Sequence, residues 1–189
     1  MKDIPTKNPA EGKIDSLFRA LLLAKPVAVG LDSAVYKYEG TAFKIYRDGL
    51  SENTLREYQE ATNRACELAK TEDLEIVFEY SKLKFPLRVN PFDESIWLPK
   101  GKLVKHYGWV GKSKYVEGKR FSDLIDSFDE KDIKFTFNYL DYELDRRLGI
   151  IGVNLTMMNI KVVEEMGQKT FVITDLCADI SKLHPAQDQ

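Results

Sequence analysis

Lys44 stands in the apolar run Ala42-Phe43-Lys44-Ile45-Tyr46, Asn154 and Asn159 lie five residues apart, and Asp175 follows Phe171-Val172-Ile173-Thr174. Glu57 sits in a charged, Ala- and Leu-rich stretch, and Gly30 and Ser33 bracket a short turn ahead of the lysine. An ammonium, carboxylates and amides do ion-pair and proton-transfer chemistry, not thiolate or imidazole chemistry. The chain has two cysteines, Cys66 and Cys177, and two histidines, His106 and His184. Neither a disulfide scaffold nor a Cys/His zinc spacing can be built from these. Taken singly, each residue has an ordinary explanation. Lys44 reads as a snorkelling surface lysine, Asp175 as a strand-terminating aspartate in a turn, the asparagines as loop caps, Glu57 as a solvated helix residue and Gly30 as a turn glycine. Their order is what carries weight: a strand with a glycine turn, a strand lysine, a helix glutamate, a loop with two spaced polar residues, then a hairpin ending in aspartate.

The elements that must position this set follow from periodicity and punctuation. Ile14, Leu17, Phe18, Leu21 and Leu22 recur at helical spacing before Pro26 and predict a short leading helix over Ile14–Ala24. Residues Ala28–Tyr38 form a β-type run broken by a turn, and Glu39-Gly40 turns it into a strand over Thr41–Tyr46. Residues Ser51–Lys70 place Leu55, Tyr58, Ala61, Ala65 and Leu68 on one face, with Ser51 and Thr54 as N-cap candidates, and predict the clearest helix. Short β-like pieces are expected at Glu75–Tyr80, Leu103–His106 and Gly108–Val110, separated by a turn-rich Pro86–Pro99. A second long helix is expected over Glu130–Leu148, its apolar face including Ile133, Phe137, Leu140, Tyr142, Leu144 and Leu148. A hairpin follows, Asn159–Val163 and Thr170–Thr174 around Glu164–Gln168. Strands, helix, strands, helix, hairpin is an α+β order in two lobes, not a regular βαβ alternation.

This arrangement resembles the protein-kinase superfamily. Val29-Gly30-Leu31-Asp32-Ser33-Ala34-Val35-Tyr36-Lys37 is similar to its phosphate-covering loop, and Ala42-Phe43-Lys44-Ile45-Tyr46 stands for its V-A-I-K strand. Gly149 to Ile160 lies without a gap over G-I-x-H-R-D-L-x-x-x-N-I, and Phe171 to Cys177 over the strand ending in D-F-G. The resemblance implies a minimal two-lobed kinase-like fold with a truncated second lobe. A first lobe would span about 27–114, a hinge 115–118 and a reduced second lobe 119–180. It is similar in this to the small kinases that bacteria deliver into eukaryotic hosts. It further implies that Lys44 holds the α- and β-phosphates of ATP and pairs with a glutamate of the next helix, Glu57 first and Glu60 second. Asn159 and Asp175 would hold Mg²⁺, while Tyr115, Val116 and the following Glu117-Gly118 would receive adenine. Gly30, Asp32 and Ser33 would cover the phosphates.

Four departures from the family pattern set further expectations. Asn154 occupies the catalytic-base position, and an amide does not usefully accept a hydroxyl proton near neutral pH. Asp32 replaces the second loop glycine and sets a negative charge near phosphate. Gly152-Val153 replaces His-Arg, so control by activation-segment phosphorylation is not expected. The 14 residues after Asp175 hold no A-P-E anchor. The expected function is an ATP- and Mg²⁺-dependent Ser/Thr protein kinase acting on a host protein, impaired by Asn154. The alternative is a pseudokinase that holds a partner. A small-molecule phosphotransferase of the aminoglycoside or choline kinase type would call for a larger helical lobe.

Composition agrees with an ordinary folded protein. In 189 residues, 43% are hydrophobic and 31% charged, and 28 basic against 30 acidic residues leave a net charge of −2. No nucleic-acid partner is expected from that balance. The longest apolar runs are far too short to span a bilayer. A soluble monomer acting in the cytoplasm, after secretion into a host cell, is the expectation, with Cys66 and Cys177 reduced. Tyr107, Trp109, Tyr139 and Tyr142 are expected in core packing more than in a ligand cage.

Overall fold

The computed structural model describes residues 17, 20–21, 23–30, 33–46, 50–97, 109–177 and 179–185. Five strands form a first, wholly antiparallel sheet in the order β1-β2-β3-β7-β6. These are β1 (Ala28–Val29), β2 (Ser33–Tyr38), β3 (Thr41–Tyr46), β6 (Glu94–Trp97) and β7 (Trp109–Lys114). A second sheet runs β4-β5-β11-β10-β8, from β4 (Glu75–Phe78), β5 (Leu83–Val89), β8 (Lys119–Arg120), β10 (Ile160–Glu165) and β11 (Gln168–Ile173). In it β11 is parallel to β5 and the other pairs are antiparallel. The short strands β9 (Ile150–Ile151) and β12 (His184–Pro185) pair with each other. With two long helices the chain is α+β, as its pattern predicts.

Helix α1 (Glu52–Thr71) begins where the Ser51 side chain accepts a bond from the Thr54 N–H at 3.1 Å, and it buries Leu55, Tyr58, Ala61, Thr62, Ala65, Cys66 and Ala69. Helix α2 (Glu130–Leu148) is capped by Asp129, whose carboxylate accepts from the Lys131 N–H at 2.8 Å. It ends at Gly149, whose φ of 62° suits a residue without Cβ. The β2–β3 and β10–β11 hairpins each close on two residues of positive φ, Glu39-Gly40 and Met166-Gly167, the twist that fits a two-residue turn to its strands. Most apolar side chains enter one core, in which the rings of Phe78, Phe121 and Phe171 are fully buried. Phe78 stacks on Phe128 at 4.9 Å between centroids and Phe121 on Phe137 at 5.5 Å. A smaller cluster of Leu21, Phe43 and Val110 covers part of the first sheet.

Two expectations need correction. Residues 86–99 are not merely turns, since β5 and β6 run through them. Pro86 is tolerated because β5 has β4 beside it over residues 83–86, and β11 joins only from Leu87. Tyr139 and Tyr142 are 54% and 61% exposed, because α2 turns its other face to the core. The strand expected at Leu103–His106, Tyr107 and much of the leading helix lie outside the described residues, although Leu17, Ala20, Leu21 and Leu23 are helical. Among the described residues no helix is long and apolar enough to cross a membrane.

Candidate functional site

A cleft with a cavity volume of about 130 Å³ opens between the two sheets. Val27, Ala28 and Val35 line it from β1 and β2, Ala42 and Lys44 from β3, and Ser113 to Val116 from the end of β7 and the segment leaving it. Met158, Asn159, Thr174 and Asp175 close it from the loop before β10 and the end of β11. Asn90 ties the two sheets together behind the cleft: its N–H donates to Ile173 O at 2.8 Å and its side-chain amide to Lys114 O at 3.0 Å.

Lys44 and Asp175 meet at the inner end. The lysine Nζ donates to Asp175 Oδ2, and the two side chains are only 14% and 20% exposed. Asp175 Oδ1 accepts a second bond, from the Tyr58 hydroxyl of α1. The ammonium lies 5.2 Å from the ring centroids of both Tyr46 and Tyr58, within cation–π range. Burial, then the nearby Asp175 charge, pushes the pKa of both tyrosines well above the ordinary value, so both hydroxyls stay protonated. The Tyr46 hydroxyl is buried with no hydrogen-bond partner among the described residues. Position follows from local packing. Lys44 pairs in register with Gly111 of β7, where a Cβ would come within 2.2 Å of the Phe92 ring. The absent side chain lets Phe92 pack there, edge-on to Tyr58 at 5.9 Å.

The loop carrying Asn154 and Asn159 is laced to the segment carrying Asp175. The Thr174 N–H and Oγ1 both donate to Asn159 O, at 2.8 and 2.9 Å. The Asn154 N–H donates to Leu176 O at 3.1 Å, and the Cys177 thiol to Gly152 O at 2.9 Å. From below, two carboxyls of α2 hold the amides flanking Asn154: Asp145 Oδ1 accepts from Val153 and Asp141 Oδ1 from Leu155, each at 2.9 Å. Burial raises the Asp141 pKa to about 6, against the Leu155 bond, and Asp145 adds to the rise. Burial likewise pushes the Cys177 thiol up to about 11.

Of the residues singled out in the sequence, Lys44, Tyr115, Val116, Asn159 and Asp175 share the cleft. Asn154 lies on the adjoining loop with an exposed side chain, and Ser33 is buried under the turn, accepting from the Gly30 N–H at 2.8 Å. Asp32 lies outside the described residues. The expected pairing of Lys44 with Glu57, or with Glu60, is not what the structure has. Both glutamates are exposed, since the buried face of α1 is set by Leu55, Tyr58, Ala61 and Thr62. The helix reaches the site through Tyr58, which the sequence reading placed on the apolar face. A tyrosine on a buried face usually finds a partner for its hydroxyl, and Tyr58 finds it in Asp175.

Asp175 and Asn159 offer a carboxylate and an amide at the same cleft wall. That suits a hard cation taking its other ligands from phosphate and water. Among the described residues no group of three or more His, Cys, Asp or Glu side chains could hold a metal by itself. No model of a known protein family matches the chain, and no curated protein matches it significantly.

Proposed function

We propose that the cleft binds ATP with Mg²⁺ and that the chain is a Ser/Thr protein kinase impaired by Asn154. The observation that carries this reading is the convergence of Lys44, Asn159, Asp175, Tyr115 and Val116 on one cleft from four separate segments. Lys44 is the cation for the phosphates, Asn159 and Asp175 are the oxygen ligands, and the backbone at 115–116 faces the adenine. Mg²⁺, when bound, would neutralise phosphate charge and fix its orientation. The resemblance gives Asn154 the proton acceptor's place, and its loop is held by Asp141 and Asp145. The partner is a protein, and the resemblance points to a host protein met after delivery from a bacterium. The pseudokinase reading has its own support: an amide at Asn154, and a Lys44 and Asp175 already paired with each other.

The test is isothermal titration of ATP, with and without Mg²⁺, into this chain and into Lys44→Ala. Metal-dependent binding that Lys44→Ala abolishes is expected, followed by phosphate transfer to a protein once Asn154→Asp supplies the carboxylate. If Asn154→Asp binds Mg·ATP yet labels neither itself nor any protein of a host extract, the partner-holding reading replaces the kinase. No binding at millimolar ATP leaves a partner-binding module without nucleotide.

A further inference from the structure

We infer that Tyr58 is a positioning residue of the site: it holds Asp175 through Oδ1, so that helix α1 is coupled to the cleft by a tyrosine hydroxyl and not by a carboxylate. The inference rests on the nucleotide reading above and deepens it. Asp175 has two oxygens with separate partners, Tyr58 Oη on Oδ1 and Lys44 Nζ on Oδ2. With phosphate bound, Lys44 would have a second anion to pair with and Asp175 could offer oxygen to a cation, while Tyr58 would keep the carboxylate tied to the helix. A carboxylate keeps lone pairs enough to serve both. Tyr58 is 1% exposed and its hydroxyl donates to a carboxylate, so the bond is charge-assisted and shielded from water. Lys44 needs no glutamate either: it is flanked by two aromatic rings and faces a carboxylate, so its charge is compensated on three sides. Phe92, edge-on to Tyr58 and seated over Gly111, fixes the ring.

Tyr58→Phe keeps the ring and removes the hydroxyl; Tyr58→Leu removes both. The first measurement uses the whole chain without nucleotide: urea unfolding of Tyr58→Phe, Asp175→Asn and the double variant. Non-additive effects establish the contact. The second is ATP titration with and without Mg²⁺. Tyr58→Phe should lower the gain in ATP affinity that Mg²⁺ gives by roughly tenfold while leaving Mg²⁺-free affinity within about twofold, since Lys44 keeps its cage. Tyr58→Leu should lower both, and Glu57→Ala and Glu60→Ala neither. A merely structural tyrosine would not separate the two affinities. If the original chain binds Mg·ATP and Tyr58→Phe binds it with the same Mg²⁺ gain, or Glu57→Ala or Glu60→Ala loses that gain, the inference is overturned alone. Additive unfolding effects overturn it as well. If the original chain shows no Mg²⁺-dependent binding while the unfolding effects remain non-additive, the nucleotide reading has failed and takes the positioning role with it.

Discussion

A carboxyl drawn half out of water beside a second carboxyl keeps its proton to higher pH than one in solution. Asp141 is such a group, with a pKa raised to about 6 by burial and, more weakly, by Asp145. The sign follows from linkage: below the ordinary carboxyl value the group is protonated in both states. Between there and about 6 the unfolded chain ionises first, so this residue's contribution turns against folding as pH rises and stays unfavourable above. Asp141→Asn, which keeps an acceptor for the Leu155 N–H, should therefore gain stability relative to the original chain between pH 4 and pH 7.5; urea unfolding at both values measures it, and an unchanged difference refutes the assignment. Cys177, pushed up to about 11, should resist alkylation at pH 8 on the folded chain by roughly two to three orders of magnitude relative to a free thiol. Mass spectrometry with and without denaturant reads this directly. At this scale Lys44 was legible as a charge inside an apolar strand, and Asn159 and Asp175 because they stand at the ends of strands of marked pattern. Tyr58 was not, because an apolar helix face looks the same in sequence whether or not one ring on it carries a working hydroxyl.

Elements whose boundaries are marked by chemistry of their own were readable to within a residue or two. Helix α1 starts behind Ser51 and α2 stops at Gly149, and both are visible as a cap and as a glycine after the last apolar position. Strands β5 and β6 carry no such marks: Pro86, Asn90 and Pro91 read as turn residues. The neighbouring β4 pairs only with residues 83–86 of β5; what continues the strand through Leu87, Arg88 and Val89 is β11, which arrives more than eighty residues later in the chain. Long-range pairing of this kind leaves no local trace. The caps give a direct prediction. Ser51→Ala should cost about 1 kcal/mol, since the Thr54 N–H loses its acceptor. At Gly149 a Cβ meets no neighbour within 4 Å but φ is 62°, so Gly149→Ala should cost about 1 kcal/mol from the backbone alone. Chemical denaturation reads both, and a Gly149→Ala chain as stable as the original would remove the left-handed cap from the account of how α2 delivers the Asn154 loop.

The cleft belongs to neither sheet. One wall carries Lys44 on β3, the other Asp175 beyond β11, and connections between the two sides include Asn90 to Lys114 and Ile173, Arg120 to Val27 O, Lys37 to Glu117, and the Lys44–Asp175–Tyr58 cluster. A ligand held by both walls has to act on the stability of the whole molecule, because unfolding either sheet releases it. Binding confined to the folded state stabilises by RT ln(1 + [L]/Kd), about 2.7 kcal/mol at a hundredfold excess over Kd. For a chain of this size that is an upward shift in unfolding temperature of roughly 5 to 10 °C. Mg·ATP should produce that shift in a thermal melt, ATP with chelator a smaller one, and Lys44→Ala neither. Lys44→Ala also leaves the largely buried carboxylate of Asp175 with Tyr58 as its remaining side-chain donor among the described residues, so its own melting temperature should fall before any ligand is added. A shift of equal size in Lys44→Ala would place nucleotide binding elsewhere on the molecule and detach the cleft from the proposed chemistry.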